Sequence, residues 1–282
     1  MNKSGLDLES LKSVIDYALK EDIGSGDITT NLLVPLGLQT KATMVAKSTG
    51  VVAGLSVAEY IFRTLSPDIK WTTFVNDGDK VARGELILEI EGSYRALLTG
   101  ERLALNFMQR MSGIATMTAN YVNAVLGYKT KILDTRKTVP GLRLLDKYAV
   151  MIGGGTNHRI GLFDMVLIKD NHIKIAGGIT NAVTQIKEKI PRGIQIEVET
   201  TTIEEVREAL AVGVDIIMLD NMSNKAMAES VKIIDGQAKV EASGNMTFER
   251  LKEVAATGVD FISIGALTHS VAAFDISMNI ES

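Results

Sequence analysis

The amino-acid sequence predicts a mixed α/β protein whose C-terminal half forms an incomplete or closed α/β barrel. In that half, short apolar runs each end in a polar or glycine residue and are followed by a helical pattern. Four strand-end markers are spaced by 21, 23 and 22 residues: Glu199, Asp220, Ser243 and Gly265. This spacing accommodates one helix and two short loops per strand, as in parallel β/α units. A doubly wound parallel sheet is the weaker alternative.

Two joints of the predicted barrel have almost the same sequence. Residues 211–217 (AVGVDII) recur as residues 256–262 (ATGVDFI). Gly213 and Gly258 stand where a helix has to end in a left-handed residue before the next strand. The helix before Gly213 starts at a capping-box pattern, in which Thr201 and Thr202 each precede a glutamate by three residues. We therefore predict six βα units, with polar residues at the C-terminal ends of the strands.

The N-terminal third has a different pattern. Residues 9–20 predict an amphipathic helix, and residues 40–52 and 71–90 alternate as strands do, with Asp77-Gly78 as a hairpin turn. Residues 75–86 resemble a half-motif of biotinyl and lipoyl carrier domains. Because no Met-Lys-Met-like acceptor stands at a hairpin tip, we interpret this segment as shared hairpin geometry.

A helical pattern runs from Ser93 to about Gly127, and we expect Gly100 and Gly113 to interrupt it. We place the domain change in this helical region. The predicted domains are residues 1–112 and 113–282, with the last residues packing back on the first domain.

Composition excludes several classes of protein. With 282 residues and 46% hydrophobic residues, the chain can bury a large core. The net charge of −4 gives no reason to expect nucleic acid or an anionic membrane as a partner. Without cysteines, disulfides and thiolate metal sites are excluded. The first residues lack the apolar core of a signal peptide, and no apolar stretch reaches the ~18 residues of a membrane helix. A soluble, cytoplasmic protein is expected.

The strongest functional signal lies in residues 134–172. Cationic side chains stand there beside apolar runs and a triple glycine: Arg136, Lys137, Arg159 and Lys169. Because cations at the ends of buried strands are costly to desolvate, they normally face a cleft that binds an anion. Guanidinium groups suit carboxylates and phosphates. The segment predicts a small substrate with several negative charges, although salt bridges to Asp134, Asp146 or Asp164 are the structural alternative.

The two histidines of this segment are interpreted differently from the cations. His158 and His172 are too far apart for a helical metal pair, so a zinc site is disfavoured. His158, beside Arg159, suits a hydrogen bond to a substrate carboxylate. For His172, a structural role explains its place in the sequence nearly as well as a role in the site does. The triple glycine before them could let backbone amides approach a ligand or could form an ordinary loop.

Two carboxylates follow adjacent strands of the predicted barrel. Glu199 and Asp220 are hard oxygen ligands at neighbouring strand ends, which suits Mg²⁺. A carboxylate there could equally stabilise a cationic transition state, and helix capping is the structural alternative. Residues 243–245 (SGN) and 265–266 (GA) end the last two strands, where barrels commonly hold a phosphate on backbone amides.

Several long motifs, in order along the chain, resemble the quinolinate phosphoribosyltransferase family. They are EDIGSGDITT at 21–30, GER at 100–102 with Asn106, DTRKT at 134–138, GGGTNHR at 153–159, IKDNH at 168–172, EVE at 197–199, LDN at 219–221 and EASGN at 241–245. The resemblance runs from end to end. It implies an N-terminal α/β sandwich (hammerhead-like) domain and a C-terminal incomplete α/β barrel. It also implies a homodimer, sometimes assembled further into a hexamer, in which each active site is completed by the neighbouring subunit.

The resemblance further implies a reaction, a metal and roles for residues. The family joins quinolinate to 5-phosphoribosyl 1-diphosphate, releasing diphosphate and carbon dioxide to give nicotinate mononucleotide for NAD biosynthesis, with Mg²⁺. The residues implied to bind substrates are Arg102 from the partner subunit, Thr135, Arg136, Lys137, His158, Arg159, Lys169, Glu199, Asp220, Ser243, Gly244, Asn245, Ile264, Gly265 and Ala266. Catalytic roles are implied for Lys137, Lys169, Glu199 and Asp220, the last two also as metal ligands.

Three alternatives remain at this point. A related phosphoribosyltransferase acting on another base is the nearest, but Arg102, Arg136 and His158 with Arg159 favour a dicarboxylate. A Schiff-base enzyme of the aldolase type would use Lys169 at a strand end. A non-enzymatic carrier module is suggested only by the turn at Asp77-Gly78.

Overall fold

The computed structural model describes residues 8–281 of the chain. The segment on which the expectation of no signal peptide rests, residues 1–5, lies outside the described residues. The chain divides into two compact units. The first comprises residues 8–119, 138–154 and 268–281, and the second comprises residues 120–137 and 155–267.

The first unit is built on a four-stranded antiparallel sheet with helices. Its helices are α1 (Leu8–Ile23), α2 (Ile28–Leu33), α3 (Leu55–Leu65), most of α4 (Tyr94–Ala124) and α5 (Arg143–Ile152). Its strands are β1 (Gln39–Ala46), β2 (Gly50–Val51), β3 (Lys70–Thr73), β4 (Lys80–Val81), β5 (Leu86–Ser93) and β12 (Ile276–Ile280). The sheet order is β12-β1-β5-β3, so the last strand of the chain is an edge strand beside β1.

Helix α1 confirms the amphipathic helix predicted over residues 9–20. Leu11, Ile15 and Leu19 are buried at the spacing of one helical face. Helix α3 buries Ile61 and Phe62 completely, and the Phe62 ring lies 6.3 Å from that of Trp71 on β3, measured between centroids. Apolar faces of helix and sheet together form the core of this unit.

The turn at Asp77-Gly78 is present, but the prediction that it closes a hairpin is wrong. Gly78 has φ +100°, and Asp79 N–H donates to Asn76 O at 3.0 Å. The flanking strands pair elsewhere, β3 with β5 and β4 with β2. The Asp77 carboxylate accepts hydrogen bonds from the first backbone amides of α3, at Gly54 and Leu55. This aspartate therefore caps a helix, which explains its place in the turn.

Helix α4 runs without a break through Gly100 and Gly113, contrary to the expected interruptions. A Cβ on Gly100 would lie 2.8 Å from the Phe62 ring, and one on Gly113 would lie 2.2 Å from the carbonyl oxygen of Ala272. Both glycines therefore allow close packing rather than ending the helix. The predicted domain boundary at residue 112 falls inside this helix and stays a prediction.

The second unit contains a six-stranded parallel sheet flanked by helices, as the βα rhythm predicts. Its strands are β6 (Lys131–Leu133), β7 (Val166–Ile168), β8 (Ile196–Thr200), β9 (Ile216–Asp220), β10 (Lys239–Ser243) and β11 (Phe261–Ser263). Its helices are α6 (Asp170–Ala176), α7 (Ile179–Lys187), α8 (Ile203–Ala211), α9 (Asn224–Ile234) and α10 (Leu251–Ala256), and α11 (Ala266–His269) starts in it.

The strand order identifies a barrel rather than a doubly wound sheet. The order is β6-β11-β10-β9-β8-β7, so the consecutive strands from β7 to β11 are neighbours and the first strand, β6, pairs with the last, β11. Among the described strands, β6 and β7 are not paired with each other; instead Thr156 forms a parallel bridge to Leu133. The barrel is therefore incomplete at this position, as expected.

Local signals in this unit are also confirmed. Gly213 and Gly258 have φ of +68° and +90°, the left-handed conformation predicted at the two repeated joints. Helix α8 is capped by Thr202, whose hydroxyl accepts from Glu205 N–H at 3.2 Å. Throughout the described ranges, none of the helices has both the length and the apolar character needed to cross a membrane.

Candidate active site

Parallel strands bring the predicted polar residues to one end of the barrel. Asp220 and Ser243 are the last residues of β9 and β10 and are paired in register. Glu199 pairs with Met218, two residues before Asp220, so the two carboxylates lie on the same face of adjacent strands. Both side chains are half-buried. Hard oxygen donors in this arrangement fit a magnesium ion that keeps several of its waters.

Lys169 forms an ion pair with Glu199. It follows β7 directly, and because Ile168 pairs with Val198, the next residues of the two strands lie opposite each other. Lys169 Nζ is 3.3 Å from Glu199 Oε2, and the two side chains are 49% and 17% exposed. The pair places a cation and a carboxylate side by side at the mouth of the barrel.

His172 has a structural role close to this pair. Its Nδ1 accepts a hydrogen bond from Lys169 N–H at 3.0 Å, which helps to cap the N-terminus of α6. The ring therefore holds the backbone that carries Lys169. The position of His172 is thus explained by a structural role, the hydrogen bond to the Lys169 backbone.

A group of left-handed residues shapes the ends of β9 and β10. Asn221, Gly244 and Asn245 have φ of +54°, +87° and +47°. Asn221 Nδ2 donates to Asp220 Oδ2 at 2.8 Å, and Asn245 Nδ2 donates to Asn221 Oδ1 at 3.3 Å. A Cβ on Gly244 would lie 2.2 Å from Asn221 Oδ1, so only glycine fits there. Backbone strain of this kind concentrates at functional sites.

His158 lies against two buried carboxylates. Its Nε2 is 2.9 Å from Glu197 Oε2 and 3.5 Å from Glu241 Oε2, and both glutamates are fully buried. A histidine and two carboxylates could in principle ligate a metal, and the donor atoms lie within 4.8 Å of one another. The 2.9 Å contact is, however, a hydrogen bond, which places a proton between the two atoms.

The electrostatics of this trio favour a charged imidazole. Burial acts to lower the pKa of His158, but the hydrogen bond to Glu197 and the charges of Glu197 and Glu241 outweigh it and raise that pKa to about 10. Burial and the charge of Glu241 raise the pKa of Glu197 to about 7. The imidazole is therefore a cation at neutral pH.

Asp134 fixes the His158 backbone, and Arg136 and Arg159 lie near each other at the same site. Asp134 is fully buried, and its Oδ1 accepts from His158 N–H at 2.8 Å. Arg159 Nη1 donates to Met165 O at 3.2 Å. Burial, and then the charge of Arg136, lower the pKa of Arg159, so the two guanidinium groups are close enough to repel each other. Such a concentration of positive charge suits an anionic ligand.

The remaining predicted residues lie beside these groups or in the other unit. Lys137 is exposed, and its N–H donates to Thr135 Oγ1 at 3.1 Å. Ile264 N–H donates to Leu133 O at 2.9 Å, so residues 264–266 follow β11 at the same end of the barrel. Arg102 is exposed on α4 in the first unit.

One of the three aspartates suggested as salt-bridge partners of the cations pairs with a different residue. The Asp146 carboxylate, suggested as a partner of the cationic cluster, pairs instead with Arg110 at 2.8 Å. Asp164 accepts from the backbone amides of Ile160 and Gly161. The triple glycine has a packing role in part, since a Cβ on Gly153 would lie 2.4 Å from Ala115 O.

Glu197 and Glu241 belong to the site, although no sequence pattern predicted them as site residues. Each stands two residues before a recognised strand-end residue, Glu199 or Ser243, and so faces the same side of its strand one layer deeper. The available signal was a glutamate inside a run of apolar strand residues, where a charge is costly unless it is paired.

Sequence models of two domains match most of the chain. "Quinolinate phosphoribosyl transferase, N-terminal domain" matches residues 27–112, and "Quinolinate phosphoribosyl transferase, C-terminal domain" matches residues 114–279. The chain belongs to the quinolinate phosphoribosyltransferase family.

Relatives of the family and a solved structure are similar to this chain over most of its length. It is 47% identical to quinolinate phosphoribosyltransferase [decarboxylating] 2, mitochondrial, of Nicotiana glauca, over 96% of this chain and 82% of that protein. It is 48% identical to the probable nicotinate-nucleotide pyrophosphorylase [carboxylating] of Synechocystis sp., over 93% and 90%. The crystal structure of NadC from Streptococcus pyogenes superposes with a TM-score of 0.95 at 41% identity and covers 98% of both chains.

Family membership also decides between the alternatives of different class. A phosphoribosyltransferase family that matches both domains leaves no basis for a carrier module. The Schiff-base interpretation of Lys169 likewise loses its support, and the Lys169–Glu199 pair is instead understood within a phosphoribosyl-transfer site.

Proposed function

We propose that this chain transfers the phosphoribosyl group of 5-phosphoribosyl 1-diphosphate to quinolinate with decarboxylation. The products are nicotinate mononucleotide, diphosphate and carbon dioxide, on a route to NAD. The observation that carries this proposal is the group of cations at one end of the barrel, beside a lysine–glutamate pair, in a chain of this family. A related phosphoribosyltransferase that acts on another base is the alternative.

Quinolinate would bind among the cationic side chains. Its ring carries two adjacent carboxylates, which require more positive charge than a monocarboxylate does. Arg136 and Arg159 supply guanidinium forks, His158 supplies an imidazolium, and Lys169 supplies an ammonium group. Thr135 lies beside Arg136 and would contribute its hydroxyl or backbone to the same pocket.

The ribosyl donor would lie over the carboxylates at the ends of β8 and β9. As the bond to diphosphate breaks, the ribose becomes oxocarbenium-like, and Glu199 and Asp220 provide negative charge beside it. Lys137, exposed at the mouth of the barrel, would neutralise the leaving diphosphate. The protein mainly positions the two reactants and balances charge, so a covalent nucleophile is not required.

Glu199 and Asp220 would also hold Mg²⁺. Two carboxylates on the same face of adjacent strands fit an ion that binds proteins through one or two carboxylates and substrate phosphates. When bound, the ion supplies positive charge that stabilises the diphosphate oxygens.

The 5-phosphate of the donor would lie at the ends of β10 and β11. Ser243, Gly244 and Asn245 adopt a turn with two consecutive left-handed residues, and residues 264–266 follow the next strand. Backbone amides in such turns point towards a common concavity that favours anions. The left-handed geometry supports the proposed phosphate role.

Decarboxylation would follow the formation of the bond to ribose. Once the ring nitrogen carries ribose, the ring is cationic and stabilises the carbanion that remains when the C2 carboxylate leaves as carbon dioxide. The side chains would keep the ring in place and exclude water from this carbanion until it is protonated.

We further propose a homodimer in which Arg102 of one copy completes the site of the other. Arg102 is exposed on α4, and apolar side chains beside that helix are also exposed: Ile28, Leu32, Leu33 and Leu36. Arg95 of α4 donates to the carbonyl oxygen of Val34, which holds this apolar segment against the helix. An exposed apolar patch of this kind is typical of an interaction surface. Assembly of dimers into a hexamer and a cytoplasmic location belong to the same proposal.

The test is carbon dioxide release from carboxyl-labelled quinolinate by the purified protein. We expect release to require both 5-phosphoribosyl 1-diphosphate and Mg²⁺ and to match the nicotinate mononucleotide formed. Nicotinate offered in place of quinolinate is the control for the alternative. Turnover of nicotinate or another base, with none of quinolinate, would contradict the proposal.

A further inference from the structure

The interior of the barrel holds two carboxylates that the proposed reaction does not use. Glu197 of β8 and Glu241 of β10 are both fully buried, one layer below Glu199 and Ser243. Among the described residues, Oε1 of Glu197 and both oxygens of Glu241 have no hydrogen-bond partner. Buried carboxylates left in this way are costly, so they are expected to serve a function.

His158 lies over both carboxylates. Its Nε2 makes a hydrogen bond of 2.9 Å to Glu197, and the Glu241 oxygen at 3.5 Å acts on the ring through its charge. The His158 side chain is only 9% exposed, so water screens these interactions poorly. The backbone of His158 is held separately, by the buried carboxylate of Asp134. Ring and backbone are therefore both fixed by carboxylates.

We propose that Glu197 and Glu241 are positioning residues which hold the His158 ring in one orientation as an imidazolium for a carboxylate of the substrate. This inference rests on the proposed function, because it assigns the imidazolium to one of the two quinolinate carboxylates. One carboxylate would orient the ring through a hydrogen bond. The two carboxylates also offset the burial of the ring, which would otherwise favour its neutral form.

The charges around His158 support this assignment. The raised pKa of His158, about 10, arises from Glu197 and Glu241 against the opposing effect of burial. Without the glutamates, burial would favour the neutral imidazole, which binds a carboxylate less strongly.

The first measurement is the titration of His158 by NMR. The chain has only three histidines, so the ring signal of His158 can be assigned by comparison with His158→Gln. In the wild type, we expect the ring to stay protonated above pH 8. In Glu241→Gln and Glu197→Gln, it should titrate at about pH 7 or below, close to the range of an ordinary histidine. The matched control is Glu253→Gln, which removes an exposed carboxylate from α10.

The second measurement is quinolinate affinity, by calorimetry without the ribosyl donor. In Glu241→Gln, we expect affinity at pH 8 to fall at least about tenfold. The loss should shrink to less than about threefold at pH 6, where the ring is protonated in both proteins. A merely structural role would instead lower affinity equally at both pH values and lower the melting temperature. We expect no fall in melting temperature, because the variant removes a buried charge and leaves the histidine paired.

Two results would overturn the inference. One is a wild-type His158 that titrates at its ordinary value, and the other is a Glu241→Gln variant whose quinolinate affinity follows that of the wild type at every pH. If Glu241→Gln does not fold, Glu197→Gln provides the same comparison. A wild type that binds no quinolinate would instead overturn the proposed function, while the titration would still show whether the carboxylates keep His158 charged.

Discussion

Arg110 and Asp146 form a bidentate ion pair in which only the arginine reaches solvent. Arg110 Nε donates to Asp146 Oδ1 at 2.9 Å, and Nη2 donates to Oδ2 at 2.8 Å. The Asp146 side chain is fully buried, whereas that of Arg110 is 24% exposed. The pair joins α5 to α4, and Arg110 also donates to Thr268 O at 3.1 Å. The two residues therefore anchor three separate segments of the first unit to one another.

Arg110→Met should destabilise the protein strongly. It leaves a buried carboxylate without its partner, so we expect the free energy of unfolding to fall by about 3–5 kcal/mol at pH 8. Burial raises the pKa of Asp146, and Arg110 opposes that effect, so removing Arg110 raises the pKa further. When the pKa of a carboxyl is higher in the folded than in the unfolded protein, the protein becomes less stable as pH rises through the folded-state pKa. The deficit should thus be smaller at pH 5, as measured by urea denaturation.

The matched control for Arg110→Met is Lys70→Met. Lys70 lies 2.7 Å from Glu91, but both side chains are largely exposed, so the loss of this pair should leave stability nearly unchanged. Equal effects of the two substitutions would show that the buried ion pair contributes no more than a surface pair.

Arg136→Lys should greatly reduce quinolinate use while leaving the fold intact. Lysine keeps the charge but loses the bidentate fork, so we expect kcat/KM to fall at least ~100-fold, or about 2.7 kcal/mol. Steady-state kinetics with both substrates would measure this, with Arg63→Lys as the control at an exposed ion pair. Activity of Arg136→Lys within threefold of wild type would remove this residue from the substrate pocket.

Asp220→Asn should mainly impair the side of the site that binds donor and metal. Loss of one negative charge weakens Mg²⁺ binding and the stabilisation of an oxocarbenium-like ribose together. We expect the Mg²⁺ concentration for half-maximal activity to rise and quinolinate affinity, measured by calorimetry without donor, to change little. Collapse of quinolinate affinity with normal Mg²⁺ dependence would contradict the proposed division of the site.

Asp260→Asn is the matched control for Asp220→Asn. Asp260 precedes β11 at the opposite end of the barrel and pairs with Lys129 and Lys239 at 3.2 and 3.3 Å. We expect this substitution to affect stability rather than Mg²⁺ dependence. A change in metal dependence in both variants would point to an indirect effect through the barrel.

Arg102→Ala and Lys169→Ala should each be inactive alone and regain activity when mixed and reassociated. A heterodimer of the two variants holds one site with both defects and one with neither. The twofold symmetry of such a dimer sets the recovered activity of a heterodimer at about half of wild type. Mixed and reassociated samples would be assayed for carbon dioxide release.

Heterodimer formation has to be shown independently, with two affinity tags. Arg102→Ala mixed with Arg136→Ala should give the same recovery, because Arg136 and Lys169 belong to the same subunit's site. Absence of recovery in samples that contain heterodimers would falsify the sharing of the site and return Arg102 to its own subunit.

The sequence by itself determined the architecture of the barrel and the residues at its mouth. Parallel strands of a βα repeat all end at the same edge, so Lys169, Asp220 and Ser243 could be placed together from strand ends alone. Gly213 and Gly258 could be placed because only glycine adopts a left-handed helix end without cost. These are local properties, and local sequence encodes them directly.

Other local patterns were misleading, because tertiary packing overrode them. Gly100 and Gly113 predict breaks in a helix, but helix α4 is continuous, since Phe62 and Ala272 occupy the space where their side chains would be. The turn at Asp77 looks like a hairpin, yet its carboxylate is used to cap α3. The identity of a glycine or an aspartate in the sequence does not show which of these roles it has in the folded protein.

Only the tertiary structure decided which charges meet. Asp146 lies near the cationic cluster in sequence but pairs with Arg110, and His158 lies over Glu197, from which it is separated by 39 residues along the chain. Partner choice depends on how strands and helices are arranged in space, and the energy of a buried charge depends on the groups around it. The sequence therefore determined which residues reach the mouth of the barrel, whereas packing determined their ionisation.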